Sequence, residues 1–297
     1  MRLLTWLGAL ILIGAAVYWY VTRPQMVEAA TFEGLEGDAA RGETILAAAG
    51  CASCHTDPEA EPAWPPVLSG GQRFETGFGT FISPNISPGP AGIGGWSLTD
   101  FANAVKRGVS PSGAHYFPAF PYTTYIRADP QDVADLYAYM QTLPASEAKS
   151  RAHDVAFPFS IRRNLGGWKF LFLDDDWVLN GAKGEQVEHG RYLVEALGHC
   201  GECHTPRNAL GGSDRSRWLG GAPHPSGKGR IPDITPGGLT WSAGEIAEYL
   251  KSGFTPDFDT AGGEMAEVVE NTARLSDADR AAIAAYLKAV PAVEPAE

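Results

Sequence analysis

The sequence predicts an all-α protein: an N-terminal transmembrane helix followed by two tandem helical domains of one design. Three observations carry this. The chain opens on a long uncharged apolar stretch, a Cys-x-x-Cys-His pentapeptide occurs twice, and helix-patterned segments around each copy also recur. The expected organisation is a membrane anchor or signal over 1–27, a first domain over 28–144, an apolar connection over 145–183, a second domain over 184–291 and a tail over 292–297.

Leu3 to Val21 is LLTWLGALILIGAAVYWYV, 19 residues without a charge. As a helix rising 1.5 Å per residue it reaches about 28 Å, close to the hydrocarbon thickness of a bilayer. Arg2 precedes it, Arg23-Pro24 ends it, and Tyr18, Trp19 and Tyr20 fall where an interfacial aromatic belt would lie. A cleaved signal has a shorter apolar core, about 7–15 residues. Val27-Glu28-Ala29 offers a weak cleavage site, so both readings stay open, and both export the rest of the chain.

Within the exported part, Cys51-Ala52-Ser53-Cys54-His55 recurs as Cys200-Gly201-Glu202-Cys203-His204, 149 positions on. An Arg41-Gly42 pair in a helical segment precedes the first copy and a Gly190-Arg191 pair precedes the second. Asp129 to Met140 parallels Ser276 to Leu287: a capping residue and acids open each segment, and apolar residues follow at helical spacing. Both stop just before a proline, Pro144 and Pro291. Each half thus reads as helix, cysteine motif, long loop and closing helix, with no sustained period-two strand pattern. The stretch 156–173 between them is apolar and aromatic, unlike a flexible linker, and is expected to pack across both domains.

The 297 residues are 44% apolar, which excludes a disordered chain. Glycine (35) and proline (22) form about 19% of the chain against a usual ~12%, consistent with long irregular loops. The net charge of −12 argues against binding a nucleic acid backbone. Residues 28–150 hold 6 basic and 14 acidic groups, and 151–297 hold 15 and 21, so both halves are acidic and suited to steering a basic redox partner.

All four cysteines fall in the two pentapeptides, a pattern that reads as c-type haem attachment. Cys51 and Cys54, and likewise Cys200 and Cys203, are spaced to reach the two vinyl groups of one haem from one helical turn. The adjacent His55 and His204 then come beneath the iron as proximal ligands. A zinc site of two Cys-x-x-Cys pairs would place them about 15–20 residues apart, a thioredoxin-like motif wants a βαβ setting, and a disulfide would leave the histidines unexplained. Two covalently bound haems c are expected.

The sequence resembles the dihaem c-type cytochromes related to the cytochrome c subunits of bacterial membrane-bound alcohol and sugar dehydrogenases. Phe78–Pro88, Gly92–Phe101, His115–Tyr122 and Leu197–Asn208 carry the resemblance. It implies two cytochrome c-like domains facing the periplasm from the inner membrane. It also implies electron transfer from a dehydrogenase subunit toward quinone or an oxidase, with no substrate of the chain's own. The alternative is a haem enzyme, a peroxidase or thiol oxidase, acting at a first haem without methionine ligation.

That alternative arises from the second axial ligands. Of four methionines, Met1 and Met26 precede the domains, and Met140 sits at core spacing beside Leu136 and Leu143. Met265, in the loop before the last helix, is the candidate ligand of the second haem. Relatives often carry Pro-Ala-Met-Pro-Tyr in the first half, where this chain has Pro118-Ala119-Phe120-Pro121-Tyr122. Phenylalanine cannot bind iron, which leaves His115 as nearest donor or the first iron open. His199 and His224 are expected near the second haem's edge or on the surface, and Arg107, Arg207 and Asn208 near propionates.

Overall fold

The computed structural model describes residues 2–225, 227 and 229–294. The tail expected over 292–297 is described to Glu294, and its last three residues lie outside the described residues.

Helix α1 (Arg2–Val21) precedes two similar halves. The first runs through α2 (Ala39–Ala48), α3 (Cys51–His55), β1 (Arg73–Thr76), β2 (Gly79–Ile82), α4 (Leu98–Arg107), α5 (Tyr122–Tyr125) and α6 (Pro130–Met140). The connection carries β3 (Asp154–Val155) and α7 (Asn164–Phe172). The second half runs through α8 (Glu185–Tyr192), α9 (Cys200–His204), β4 (Gly220–Pro223), β5 (Arg230–Asp233), α10 (Ala243–Ser252), α11 (Glu264–Thr272) and α12 (Asp277–Ala289).

The repeat extends to the helix ends. Ser97 and Ser242 each accept from the third helical amide while Asp100 or Glu245 reaches back, and Gly108 and Gly253 close α4 and α10 in the left-handed region. Asp129 and Ser276 cap α6 and α12 as their sequence suggested. In each half the first and last helices cross at a glycine. A Cβ on Gly42 would lie 2.0 Å from the Asp135 carbonyl oxygen, and one on Gly190 would lie 1.9 Å from that of Ala282. The Arg41-Gly42 and Gly190-Arg191 pairs therefore mark close helix crossings. Around these crossings Leu46, Val133, Leu136 and Met140, and Val194, Ile283, Tyr286 and Leu287, form the core.

The all-α expectation needs one correction. β1, β2 and β3 form an antiparallel sheet, and β4 pairs with β5. These strands have at most four residues, too short for an alternating pattern to register in the sequence. They shape the loop that follows each cysteine motif.

Candidate haem sites

Each cysteine motif forms one short helix held in the same way. His55 Nδ1 donates to the Pro84 carbonyl at 2.8 Å, and His204 Nδ1 donates to the Pro232 carbonyl at 2.8 Å. The acceptor loops match as well: Asn85 Oδ1 takes the Ser87 amide, and Asp233 Oδ1 takes the Thr235 amide. Tying Nδ1 to a carbonyl fixes the tautomer and leaves the Nε2 lone pair for a metal. Burial lowers both histidine pKa values, against the hydrogen bond to Pro84 or Pro232, so the neutral ligating form prevails at pH 7.

The four thiols are unpaired by disulfide. Burial pushes Cys51 and Cys200 up to about 12 and Cys54 to about 11. Such thiols are poor at binding a bare cation, which needs thiolate. Among the described residues no three His, Cys, Asp or Glu side chains cluster to hold a metal ion. Two cysteines, one oriented imidazole and irregular loops fit a covalently held porphyrin instead. Arg107 Nε is buried without a hydrogen-bond partner in the protein, a donor suited to a propionate. Arg207 is engaged by Glu202 and the Gly211 carbonyl, and Asn208 Oδ1 caps a turn at Leu210 and Gly212.

Met265 lies half-buried in the first turn of α11, and the neighbouring Glu264 is close enough to Cys203 to raise its pKa, after burial and Glu202. The register between halves places Phe120 opposite it. Ser97 matches Ser242, Gly108 matches Gly253, and the bridge Val109–His115 matches Phe254–Thr260, all at one spacing of 145 that also pairs Phe120 with Met265. Phe120 is packed edge-on among Tyr116, Tyr122 and Tyr125.

His115, the candidate donor for the first iron, is buried, and its Nδ1 has no hydrogen-bond partner in the protein. It matches Thr260, five positions before the methionine, and its Nε2 donates to the Thr22 carbonyl at 3.0 Å. It holds the end of α1. His199 is the left-handed residue before α9, matching Gly50 before α3, and its Nε2 meets the Ala49 carbonyl at 3.2 Å. It therefore stands between the two motifs. His224 faces Glu264, with Nε2 3.4 Å from Oε1.

The contacts that join the motifs were not anticipated. Asn271 of α11 donates to Ser53 at 2.6 Å, and Thr123 of α5 donates to Glu202 at 2.6 Å. Ser53 and Glu202 are the same position of the two pentapeptides, and α5 and α11 are matching helices. Each motif helix is thus hydrogen-bonded to a helix of the other half, α3 to α11 and α9 to α5. Cys203 lies near enough to Cys54 to raise its pKa further, after burial and Glu267. A polar residue between the cysteines was the available sequence signal; its partner, over 70 residues away, was not visible.

The cytochrome c family model matches this chain twice, over residues 39–144 and 187–291. A diheme cytochrome c-type protein of Cereibacter sphaeroides is 58% identical over 287 residues, covering 96% of this chain and 97% of that protein. The fructose dehydrogenase cytochrome subunit of Gluconobacter japonicus is 40% identical over 85% of this chain, which spans 52% of that subunit. The cytochrome c subunit of the quinone-dependent alcohol dehydrogenase of Gluconobacter oxydans is 35% identical, and the chain spans 55% of its length.

Proposed function

The chain belongs to the cytochrome c family, with two such domains and two covalent haems c, and on that premise we propose that it passes electrons between a dehydrogenase subunit and a quinone-linked complex or oxidase. The observation that carries this is the back-to-back setting of the two motif helices, joined through Ser53–Asn271 and Glu202–Thr123. Haems attached to these two helices would be held next to each other, as a relay between donor and acceptor requires.

When bound, each haem supplies one reversible electron; the protein supplies attachment, ligation and a low-dielectric setting. Cys51, Cys54, Cys200 and Cys203 hold the haems. His55 and His204, oriented by Pro84 and Pro232, ligate the irons. Met265 is the second ligand of the second haem, where a thioether raises the potential. Phe120 stands at the matching place of the first, so this position offers that haem no thioether. His115 stays with Thr22 in this reading. Its replacement by alanine leaves the first haem's optical and EPR spectra unchanged and loosens the end of α1.

The reading places the haem domains in the periplasm behind an inner-membrane anchor. Among the described residues, α1 is the one helix long and apolar enough to cross a membrane. The relatives that are dehydrogenase cytochrome subunits support the choice of donor class. Stopped-flow mixing of reduced holoprotein with peroxide, and of oxidised holoprotein with thiols, tests the proposal. Slow, stoichiometric electron exchange agrees with it, while catalytic turnover of either substrate supports the haem-enzyme alternative and contradicts it.

A further inference from the structure

The stretch joining the two halves does pack across them. Lys169 sends its ammonium into the first half, donating to the Arg107 and Gly108 carbonyls at 2.6 and 2.7 Å, and Trp168 donates to the Leu210 carbonyl of the second at 2.9 Å. Yet it leaves its largest apolar side chains outside. Phe157 is 79% exposed, Phe170 67%, Leu171 62% and Phe159 51%. Phe78 and Leu210 extend the patch: the Phe78 ring meets Phe159 edge-on at 5.1 Å and packs against Gly211. Exposed apolar side chains in this number on one connection and the loops beside it mark an interaction surface.

Its place relative to α1 identifies what covers it. Tyr18 donates to Asn164 at 2.9 Å, and Arg163 donates to the Thr22 hydroxyl at 2.8 Å and the Trp19 carbonyl at 2.7 Å. The Arg163 guanidinium also lies 4.1 Å over the Trp19 ring. A Cβ on Gly166 would fall 2.4 Å from the Thr22 carbonyl oxygen, so α7 touches the backbone of the residue that follows α1. From the other side His115 and Arg162 brace the same corner, His115 bonding Thr22 and Arg162 bonding the His115 carbonyl at 2.9 Å. The patch is bolted to the last turn of α1, at the level of Tyr18, Trp19 and Tyr20. Lys169 and Trp168 fix the helix on its inner side, so it cannot roll to bury the phenylalanines. In a chain of net charge −12, Arg162 and Arg163 lie beside the exposed aromatics, Lys169 being turned inward, and the nearest acids in the sequence are Asp154 and Asp174. Apolar side chains flanked by arginines suit the boundary of an anionic bilayer.

We propose that this connection is a membrane foot: Phe157, Phe159, Phe170 and Leu171, with Phe78 and Leu210, enter the headgroup region of the bilayer that α1 crosses. The proposal rests on the reading of α1 as an anchor. It gives the foot a second role, since a pivot at α1 alone would let the haem domains swing, while a foot beside it sets their tilt toward membrane-bound partners.

The test reconstitutes the full-length holoprotein in phosphatidylethanolamine–phosphatidylglycerol vesicles doped with a diazirine-bearing phospholipid, irradiates them and maps lipid adducts by peptide mass spectrometry. Adducts are expected in both 2–22 and 156–173. In the double variant Phe157→Ser, Phe170→Ser, those in 156–173 should drop to the level of the exposed face of α10, while those in 2–22 and the visible haem spectrum persist. Adducts confined to 2–22 in the wild type would overturn the foot and leave the anchor standing, as would adducts in 156–173 that the double variant does not reduce. Adducts in neither stretch would overturn the anchor reading and the foot with it.

Discussion

Met265 and Phe120 occupy equivalent positions in otherwise matching halves, and on the proposed ligation this one side chain would make the two redox centres unequal. Met265→Ala should abolish the sulfur-to-iron charge-transfer band of the oxidised protein in the far red and lower the potential of the second haem, leaving the first unchanged. Phe120→Met offers the first haem the same thioether. A second such band should appear and the two potentials should converge, as optical titration would record. The cysteines and the histidines beside them were legible because haem attachment asks for those residue types at that spacing, whereas Met265 rests on elimination among four methionines and on the resemblance. Pro84 and Pro232 were not, since they act through backbone carbonyls that any residue carries. His115, named as a donor because it lies near Phe120 in the sequence, gives Nε2 to the Thr22 carbonyl and keeps a buried Nδ1 without a partner.

Among the elements, the paired helices α2–α6 and α8–α12 frame each site, and the glycine crossings set their spacing. Gly190→Ala drives a methyl into the Ala282 carbonyl and should cost about 1–3 kcal/mol by overpacking, read as a lower Tm. The sheet is tied down by His153, whose Nδ1 accepts the Ile82 amide at 3.1 Å. Burial, and then Arg162, hold its pKa below the ordinary 6.5. The folded state thus binds fewer protons than the unfolded one near that pH. The bond's contribution is present above pH 6.5 and lost as pH falls below it. Hydrogen exchange of the Ile82 amide, corrected for its intrinsic rate, should lose protection on acidification, and His153→Phe should remove both the protection and its pH dependence. Helices with caps and apolar periodicity, α6 and α12 above all, were readable in advance. The hairpins were not, because their four-residue strands are set by the motif loops they close.

The whole molecule is two cytochrome c domains joined through their motif helices, with the connection and His115 gripping the end of α1. The sequence showed the duplication and the apolar connection. It could not show that Ser53 and Glu202 would reach into opposite halves, nor which aromatics of 156–173 stay outside, because both depend on contacts between residues far apart in the chain. Glu202→Gln keeps the shape but weakens its charge-assisted bonds to Thr123 and Arg207, and should slow haem-to-haem electron equilibration in flash photolysis while leaving haem content intact. The central claim is a dihaem electron carrier whose second haem sits at the higher potential. A spectroelectrochemical titration of the purified holoprotein tests it most directly. The account predicts two separate one-electron steps, the higher of which moves down in Met265→Ala. A single one-electron step, or two steps neither of which responds to Met265, would contradict it.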